Sequence, residues 1–553
     1  MKNKLYILGL ILCAFTSNKL LAQSRYFIQF GDKANTSFSL QKPQEFLSER
    51  AIDRRKKFQI NIDSADLPVD THYIQTLQRK GYDILNISRW MNGVIVKADD
   101  KAIKKCIDFP FVKGYRYAAP AQIPDDTNHI DFKGFMSEVY VPKEAKGNYG
   151  QAYIPISQIN GDKLHNRGLT GKGMLIAVLD AGFENAGTLP CFKNAIDEHR
   201  IVDTRDLVDR NKNVYNDNEH GTEVLSCMAA LDSGKMIGTA PKASYILIRT
   251  EDYRSEFPVE EYLWVIGAEL ADSSGADIIN TSLGYTNFDA DSLSHTYNEL
   301  DGNHTIAALG VKIAAAKGIF VCASMGNDGD KLWQYLGTPA DAPDALSMGA
   351  VNSDGNIAKF SSIGPASDGH IKPDVVAFGE YISVASSTGG YFINNGTSFS
   401  TPVVCGMVAC LMQAHPLKTS KEVMQAIRMS SNHFLQPDGK YGYGIPNFER
   451  ASNILTYGKD SLLSSDTLMA AYWDKQTQQL VWNFYSQQTQ SAKIKLLNPE
   501  GKTVFKDKVL FNQGFQQLYI SKKRKMKTNG KYTLIITTSK AIYQKHIDLL
   551  LGN

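Results

Sequence analysis

Between residues 149 and 457, short apolar runs of strand length alternate with longer helical runs, and this alternation constrains the fold more than any other feature of the chain. The apolar runs fall at 174–179, 244–249, 277–280, 319–324 and 345–351. Strands that are apolar on both sides must be covered on both faces, so the pattern predicts an α/β fold, a mostly parallel sheet with helices on both faces. Functional groups in such sheets collect beyond the carboxyl ends of the strands. Asp180 ends its strand and Asn327 follows another, while His220 and Ser398 open helical runs at 221–231 and 400–415. All four are therefore expected on one rim.

The flanks carry other patterns. Residues 1–22 join Lys2 and Lys4 to an apolar run at 5–15 and end on Leu20-Leu21-Ala22, which reads as a removable signal peptide and places the protein outside the cell or at its surface. Residues 23–119 show strand-like runs at 26–30, 82–87, 93–97 and 111–115 among charged helical stretches such as 43–57, a small α+β domain. Residues 120–148 lose periodicity and gain Pro, Asp, Lys and Gly, the composition of an exposed, cleavable linker. From 460 to 553 the pattern becomes alternating strands at 479–485, 493–497, 503–509, 517–520, 532–537 and 543–549, a β-sandwich. The basic run 522–525 reads there as a solvated turn.

Composition excludes several classes of function. A length of 553 residues allows about three or four domains at roughly 150 residues each. Sixty basic against fifty-seven acidic side chains leave +3, no electrostatic footprint for nucleic acid. Beyond the N-terminus no run approaches the ~20 apolar residues of a membrane span. Of seven cysteines, Cys227, Cys322, Cys405 and Cys410 lie in apolar stretches and read as small buried hydrophobes. With no CxxC spacing and no His/Cys cluster, neither a disulfide framework nor a metal site is expected.

Three words carry chemistry: Val178-Leu179-Asp180-Ala181-Gly182, His220-Gly221-Thr222 and Gly396-Thr397-Ser398-Phe399-Ser400-Thr401-Pro402. A serine hydroxyl is a weak nucleophile at neutral pH; it needs an imidazole to take its proton and a buried carboxylate to orient the imidazolium. Each word supplies one part, in the order Asp, His, Ser. Gly182 permits a sharp turn after the acid. Pro402 is expected in the first turn of the serine's helix, where a missing N–H costs nothing, and helix starts favour developing negative charge.

These words resemble those of the subtilisin-like serine peptidases, the subtilases, strongly over 149–457. The resemblance implies that His220 is general base and then general acid, and that Ser398, rather than Ser400 or Ser324, is the nucleophile. Asn327, in Met325-Gly326-Asn327-Asp328, matches the family's oxyanion donor, to act with the Ser398 N–H. Ser282-Leu283-Gly284 resembles the edge that pairs with an extended peptide substrate. Ala323 to Gly326 would form the opposite wall of the pocket and Gly337 its open floor, with room for a large apolar side chain; Asp328 at the rim points instead to a basic one. The α+β domain becomes a removable prodomain. Two departures stand out: Ala181 replaces the usual Ser or Thr after the acid, and Phe399 follows the nucleophile.

The C-terminal segment resembles more loosely the sorting domain of type IX secretion cargo, through 493–502, 530–534 and 545–547, which implies secretion machinery as a partner. No organic cofactor is expected, and calcium, common in the family, has no acidic loop to which it can be assigned. The sequence thus reads as an exported serine endopeptidase acting on proteins or peptides. The alternative is a catalytically inactive subtilase-like binding or adhesin scaffold, to which Ala181 and Phe399 point and against which the intact Asp/His/Ser/Asn set argues. A sedolisin relative, with a glutamate as base, is disfavoured by His220-Gly221-Thr222.

Overall fold

A computed structural model describes residues 23–121, 148–457 and 469–549, apart from 475–478, 487–488, 512–513, 522–525, 527–528 and 540–541. The signal-peptide reading of 1–22, nearly all of the linker 120–148 and the basic run 522–525 lie outside the described residues.

The central domain is built on a seven-stranded sheet in the order Val375–Phe378, Ala345–Val351, Phe320–Ser324, Ile278–Thr281, Leu175–Asp180, Ser244–Arg249, Ile201–Asp206. Every pairing is parallel. Alternate side chains of each strand enter different cores, as the strand period demands. Ile176, Val178, Leu247 and Cys322 join the helices His220–Ala229 and Thr397–Ala414 on one face. Ala177, Leu179, Ile246 and Val321 join the helices Val259–Ser274 and Ile306–Ala316 on the other. The expected α/β fold is present, with two strands added. Ile201–Asp206 is an edge strand with one buried residue in six, and Val375–Phe378 has only four residues, so neither displays the long apolar run of a central strand.

Helix Thr397–Ala414 is apolar and long enough to cross a membrane, but it is the domain's central helix, with 83% of that window buried. The six described cysteines are all free and buried, as packing hydrophobes should be.

The N-terminal domain is a four-stranded antiparallel sheet, Asp83–Ser88, Gly93–Asp99, Gln23–Phe30, Val112–Pro120, with helices Glu49–Phe58 and Thr71–Arg79. The helical stretch expected at 43–57 is divided: Ser48 caps the helix that begins at Glu49, its hydroxyl accepting from the Ala51 N–H. This domain docks on helix Val259–Ser274. Phe27 stacks on Tyr262 with ring centroids 4.3 Å apart, and Ile95, Ala118 and Ala119 share a core with Val259, Leu263 and Ile266. A buried charge network borders that core. Asp272 pairs with Arg54, Arg55 and Arg89, and Asp66 with Arg55 at 2.6 Å and Lys317 at 2.8 Å. Glu269 accepts from the N–H groups of Arg89 and Trp90 at 2.9 and 3.1 Å.

The C-terminal strands form two antiparallel sheets, of three and four strands, around Leu480, Trp482, Ile494, Leu496, Phe511, Tyr532 and Leu534. Met469–Asp474 is a seventh strand beyond the six expected; Met-Ala-Ala gives it no strand-like alternation.

Candidate active site

The strand Leu175–Asp180 is buried along its whole length and delivers Asp180 to the rim. Asp180 Oδ1 accepts from the N–H of Ala181 at 2.8 Å and from His220 Nδ1 at 2.7 Å. Its Oδ2 has no hydrogen-bond partner among the described residues, and Ala181 carries no hydroxyl that could supply one. His220 opens helix His220–Ala229, and Asn218 Oδ1 accepts its backbone N–H at 2.8 Å. The helix start abuts the turn after Asp180 so closely that a Cβ on Gly221 would lie 2.2 Å from the Gly182 carbonyl oxygen, so only glycine fits. The imidazole is 31% exposed, while the acid is fully buried. Burial alone would lower its pKa, but Asp180, by charge and hydrogen bond, raises it to about 9, with smaller contributions from Glu223 and Glu251.

Ser398 is the second residue of helix Thr397–Ala414. Pro402 is therefore the sixth, in the second turn and not the first as expected. A proline there donates nothing to the carbonyl four residues earlier, which is that of Ser398. The Ser282 hydroxyl takes the vacant place, donating to the Ser398 carbonyl at 2.8 Å. In return the Ser398 hydroxyl donates to the Ser282 carbonyl at 3.2 Å. The Ser398 hydroxyl is thus directed at the Ser282 carbonyl and not at His220 in this conformation; hydrogen bonds of a catalytic kind commonly tighten only once substrate is bound. Phe399 is buried with its ring 6.0 Å from that of His220, a side wall to the imidazole.

Asn327 stands beside the same helix start. Its Oδ1 accepts from the Thr397 N–H at 2.9 Å and from the Thr397 hydroxyl at 3.0 Å. A backbone N–H can only donate, so the oxygen end of the amide is fixed and the NH2 end is left without a partner among the described residues. The N–H of Ser398, in the helix's first turn, is likewise free of an intrahelical acceptor. Two unpaired donors at one helix start are of the kind that can stabilise an oxyanion.

The chain is similar to known peptidases over most of its length. The subtilase family model matches residues 171–444, and the model of the peptidase S8 propeptide domain of Bacteroidota matches residues 25–131. Subtilisin NAT from Bacillus subtilis subsp. natto is 30% identical over 383 residues, 68% of this chain and 84% of the relative. Subtilisin E from Bacillus subtilis strain 168 shows the same identity and coverage, and serine protease AprX from that strain is 28% identical over 346 residues, 57% of this chain and 74% of the relative. The chain belongs to the subtilase family. It is a subtilisin-like serine endopeptidase made with a propeptide.

In this subtilase the two expected walls of the substrate cleft are neighbours in the sheet, with Thr281 paired to Ala323. Ser282 is buried, Leu283 half-buried and Gly284 exposed, and the Ser324 hydroxyl donates to the Leu283 carbonyl at 3.3 Å. Ala323 is fully buried in the core with Val321 and Met325, so its methyl has no face toward a substrate. Ser324 is buried and Gly326 half-buried. A Cβ on Gly326, at φ +103°, would approach Ser362 Oγ to 2.9 Å. Gly337 lies behind Thr286 and Tyr285, where a Cβ would come within 3.3 Å of the threonine methyl. Asp328 pairs with the exposed Lys331 at 2.9 Å.

Two carboxylate groups near the subtilase site have no counterpart among the sequence expectations. Asp206, Asp209 and Asp217 converge on Arg249 Nη1 at 3.1, 2.7 and 3.0 Å, so a side-chain cation already occupies their centre. Glu251, Glu256 and Glu260 form a second group close to the Asp180 strand. The Tyr285 and Thr250 hydroxyls donate to Glu251 at 2.7 and 2.8 Å, and burial pushes its carboxyl up to about 7. No local word announces either group, since their members meet only through the fold.

Proposed function

We propose that this subtilase is an exported endopeptidase that cleaves peptide bonds through an acyl-enzyme formed on Ser398, with His220 as base and then acid and Asp180 as its orienting carboxylate. The observation that carries the reading is the 2.7 Å bond from His220 Nδ1 to the buried Asp180, which leaves Nε2 free for the serine proton.

An extended substrate pairs along 282–284. The Ser398 hydroxyl turns from the Ser282 carbonyl to His220 Nε2, gives up its proton there and attacks the scissile carbonyl carbon. The resulting oxyanion accepts from Asn327 Nδ2 and the Ser398 N–H. The imidazolium then passes its proton to the leaving amine, and water, deprotonated by the same imidazole, releases the acid. No organic cofactor enters these steps. The side of the cleft at Gly326 favours a large apolar residue before the scissile bond, because a charged one would lose hydration without a certain partner.

The propeptide domain covers helix Val259–Ser274 and is read as an inhibitor lost after cleavage within 120–148. The β-rich C-terminal segment carries no catalytic constellation and is read as an address for a secretion machine. Labelling active protein with a fluorophosphonate and mapping the adduct tests the core of the reading: modification of Ser398 supports it, while an unlabelled, inactive chain would make the protein a binding scaffold.

A further inference from the structure

Helix His220–Ala229 is stitched to the hairpin Ile382–Asn394, which leads into Ser398, at three places. Glu219 accepts from the Ser387 N–H at 3.2 Å, the Ser226 hydroxyl accepts from the Ala385 N–H at 3.0 Å, and Glu223 Oε2 accepts from Asn394 Nδ2 at 2.7 Å. The third stitch differs from the others in joining two side chains, one of them a carboxyl only 5% exposed. Glu223 lies three residues after His220 and so on the same helix face. Asn394 lies four residues before Ser398. Its Oδ1 accepts from the Asn395 N–H at 2.8 Å, which fixes the amide's orientation and holds the turn into Gly396. A buried carboxyl is costly unless its hydrogen bonds do something a hydrophobe would not.

We propose that Glu223 is a positioning residue for the reaction, a buried carboxyl that ties the helix of the general base to the loop of the nucleophile through Asn394 and adds its charge to that of Asp180 at His220. The proposal rests on the reading of Asp180, His220 and Ser398 as the reacting set.

The electrostatics agree with the geometry. The titratable groups facing Glu223 are His220, Glu219 and Cys227 on its own helix and Asp180 on the central strand, while the hairpin presents the neutral Asn394 amide. Burial pushes the Glu223 carboxyl up to about 7; His220 and the Asn394 hydrogen bond pull it down, and Glu219 and Asp180 push it further up. When Glu223 is ionised it favours the imidazolium of His220. Removing that charge must make the imidazole less basic.

The test compares the full chain with its Glu223→Gln and Asn394→Ala variants after autoprocessing, each normalised by fluorophosphonate titration of Ser398. Failure of the wild-type enzyme to label would sink the underlying reading and is scored separately. Glu223→Gln keeps an acceptor for Asn394 but loses the charge, so the acidic limb of kcat/KM should move about 0.5–1 unit to lower pH. A limb unchanged from wild type overturns the proposal. Should Glu223→Gln not fold, Asn394→Ala decides: a several-fold loss of kcat per titrated site at constant KM supports the link, and an unchanged kcat overturns it. A role confined to stability would lower Tm and the titratable fraction without moving either readout, and that result too overturns the proposal.

Discussion

Ser282 and Ser398 exchange hydrogen bonds, hydroxyl to carbonyl in each direction, at 2.8 and 3.2 Å. The exchange exists because Pro402 cannot serve the Ser398 carbonyl. It couples the segment read as the substrate edge to the peptide unit of the proposed nucleophile. Ser282→Ala should leave that carbonyl unpaired at a cost of about 1–3 kcal/mol and lower kcat as well. Adding Pro402→Ala restores a helical N–H donor, so the double variant should recover part of the loss. Denaturation midpoints across this double-mutant cycle check the coupling; strict additivity would break it.

The reacting set acts as a unit in the proposed mechanism. Ser398→Ala and His220→Ala should each reduce turnover by about 10⁶, the loss that removing the serine or the histidine causes in subtilisin. Asp180→Asn should cost about 10⁴, as in a related triad. Burst kinetics on a chromogenic peptide measure this, and near-native activity of a folded Ser398→Ala variant would disprove the assignment.

In the proposed mechanism Asn327 has two duties that substitution can separate. Asn327→Asp keeps an acceptor for Thr397 and removes the donor to the oxyanion, so kcat should fall at least about 10²–10³-fold while KM changes little. Equal losses in kcat and in ground-state binding would assign Asn327 to the fold of the loop.

The pH profile follows from His220. Its folded pKa is raised from 6.5 to about 9, and the neutral imidazole is the base, so kcat/KM should climb along a limb lying well above 6.5. By linkage, the stabilisation from the Asp180 pair is complete below the unfolded value and lost as pH rises through the folded one. Thermal unfolding of Ser398→Ala against pH should therefore show Tm declining on the alkaline side of neutrality. A limb at or below 6.5 would contradict the geometry.

The propeptide interface offers an independent check. Arg55 is 1% exposed and pairs with Asp66 and Asp272, both fully buried. Arg55→Met in the uncleaved Ser398→Ala chain should weaken docking by about 3–5 kcal/mol, because the carboxylates stay buried without their partner. Calorimetry should then resolve an early transition for residues 23–121. A single unshifted transition would mean that Arg54, Arg89 and Lys317 suffice.

Much of this architecture is legible in the sequence because burial and periodicity coincide there. The runs at 174–179, 244–249 and 319–324 are apolar through their middles since helices cover both faces, and each forms a strand. Asp180 and His220 are legible because each sits in a local word whose glycine is required by close packing, Gly182 against the Asn218 backbone and Gly221 against the Gly182 carbonyl, whereas Ser398 is legible through its word alone. What escapes depends on residues distant in sequence. Asn394 meets Glu223 across 171 positions and Tyr285 meets Glu251 across 34, and no local pattern encodes either bond. Pro402 lies a turn deeper than expected because the helix starts at Thr397, ahead of the apolar run that signals it. Ala323 belongs to the cleft by its word alone, whereas strand parity turns its methyl inward.

All six thiols of the described residues are interior and none is bonded to another. Burial raises the pKa of Cys106 to about 11 and of Cys191 to about 12, so neither offers thiolate for exchange near neutrality. Among the described residues no disulfide has to form, so folding of the enzyme is expected to need neither an oxidant nor a disulfide isomerase. The same native state should form in reducing and oxidising buffer, which makes a reducing cytoplasm a workable host for its recombinant production.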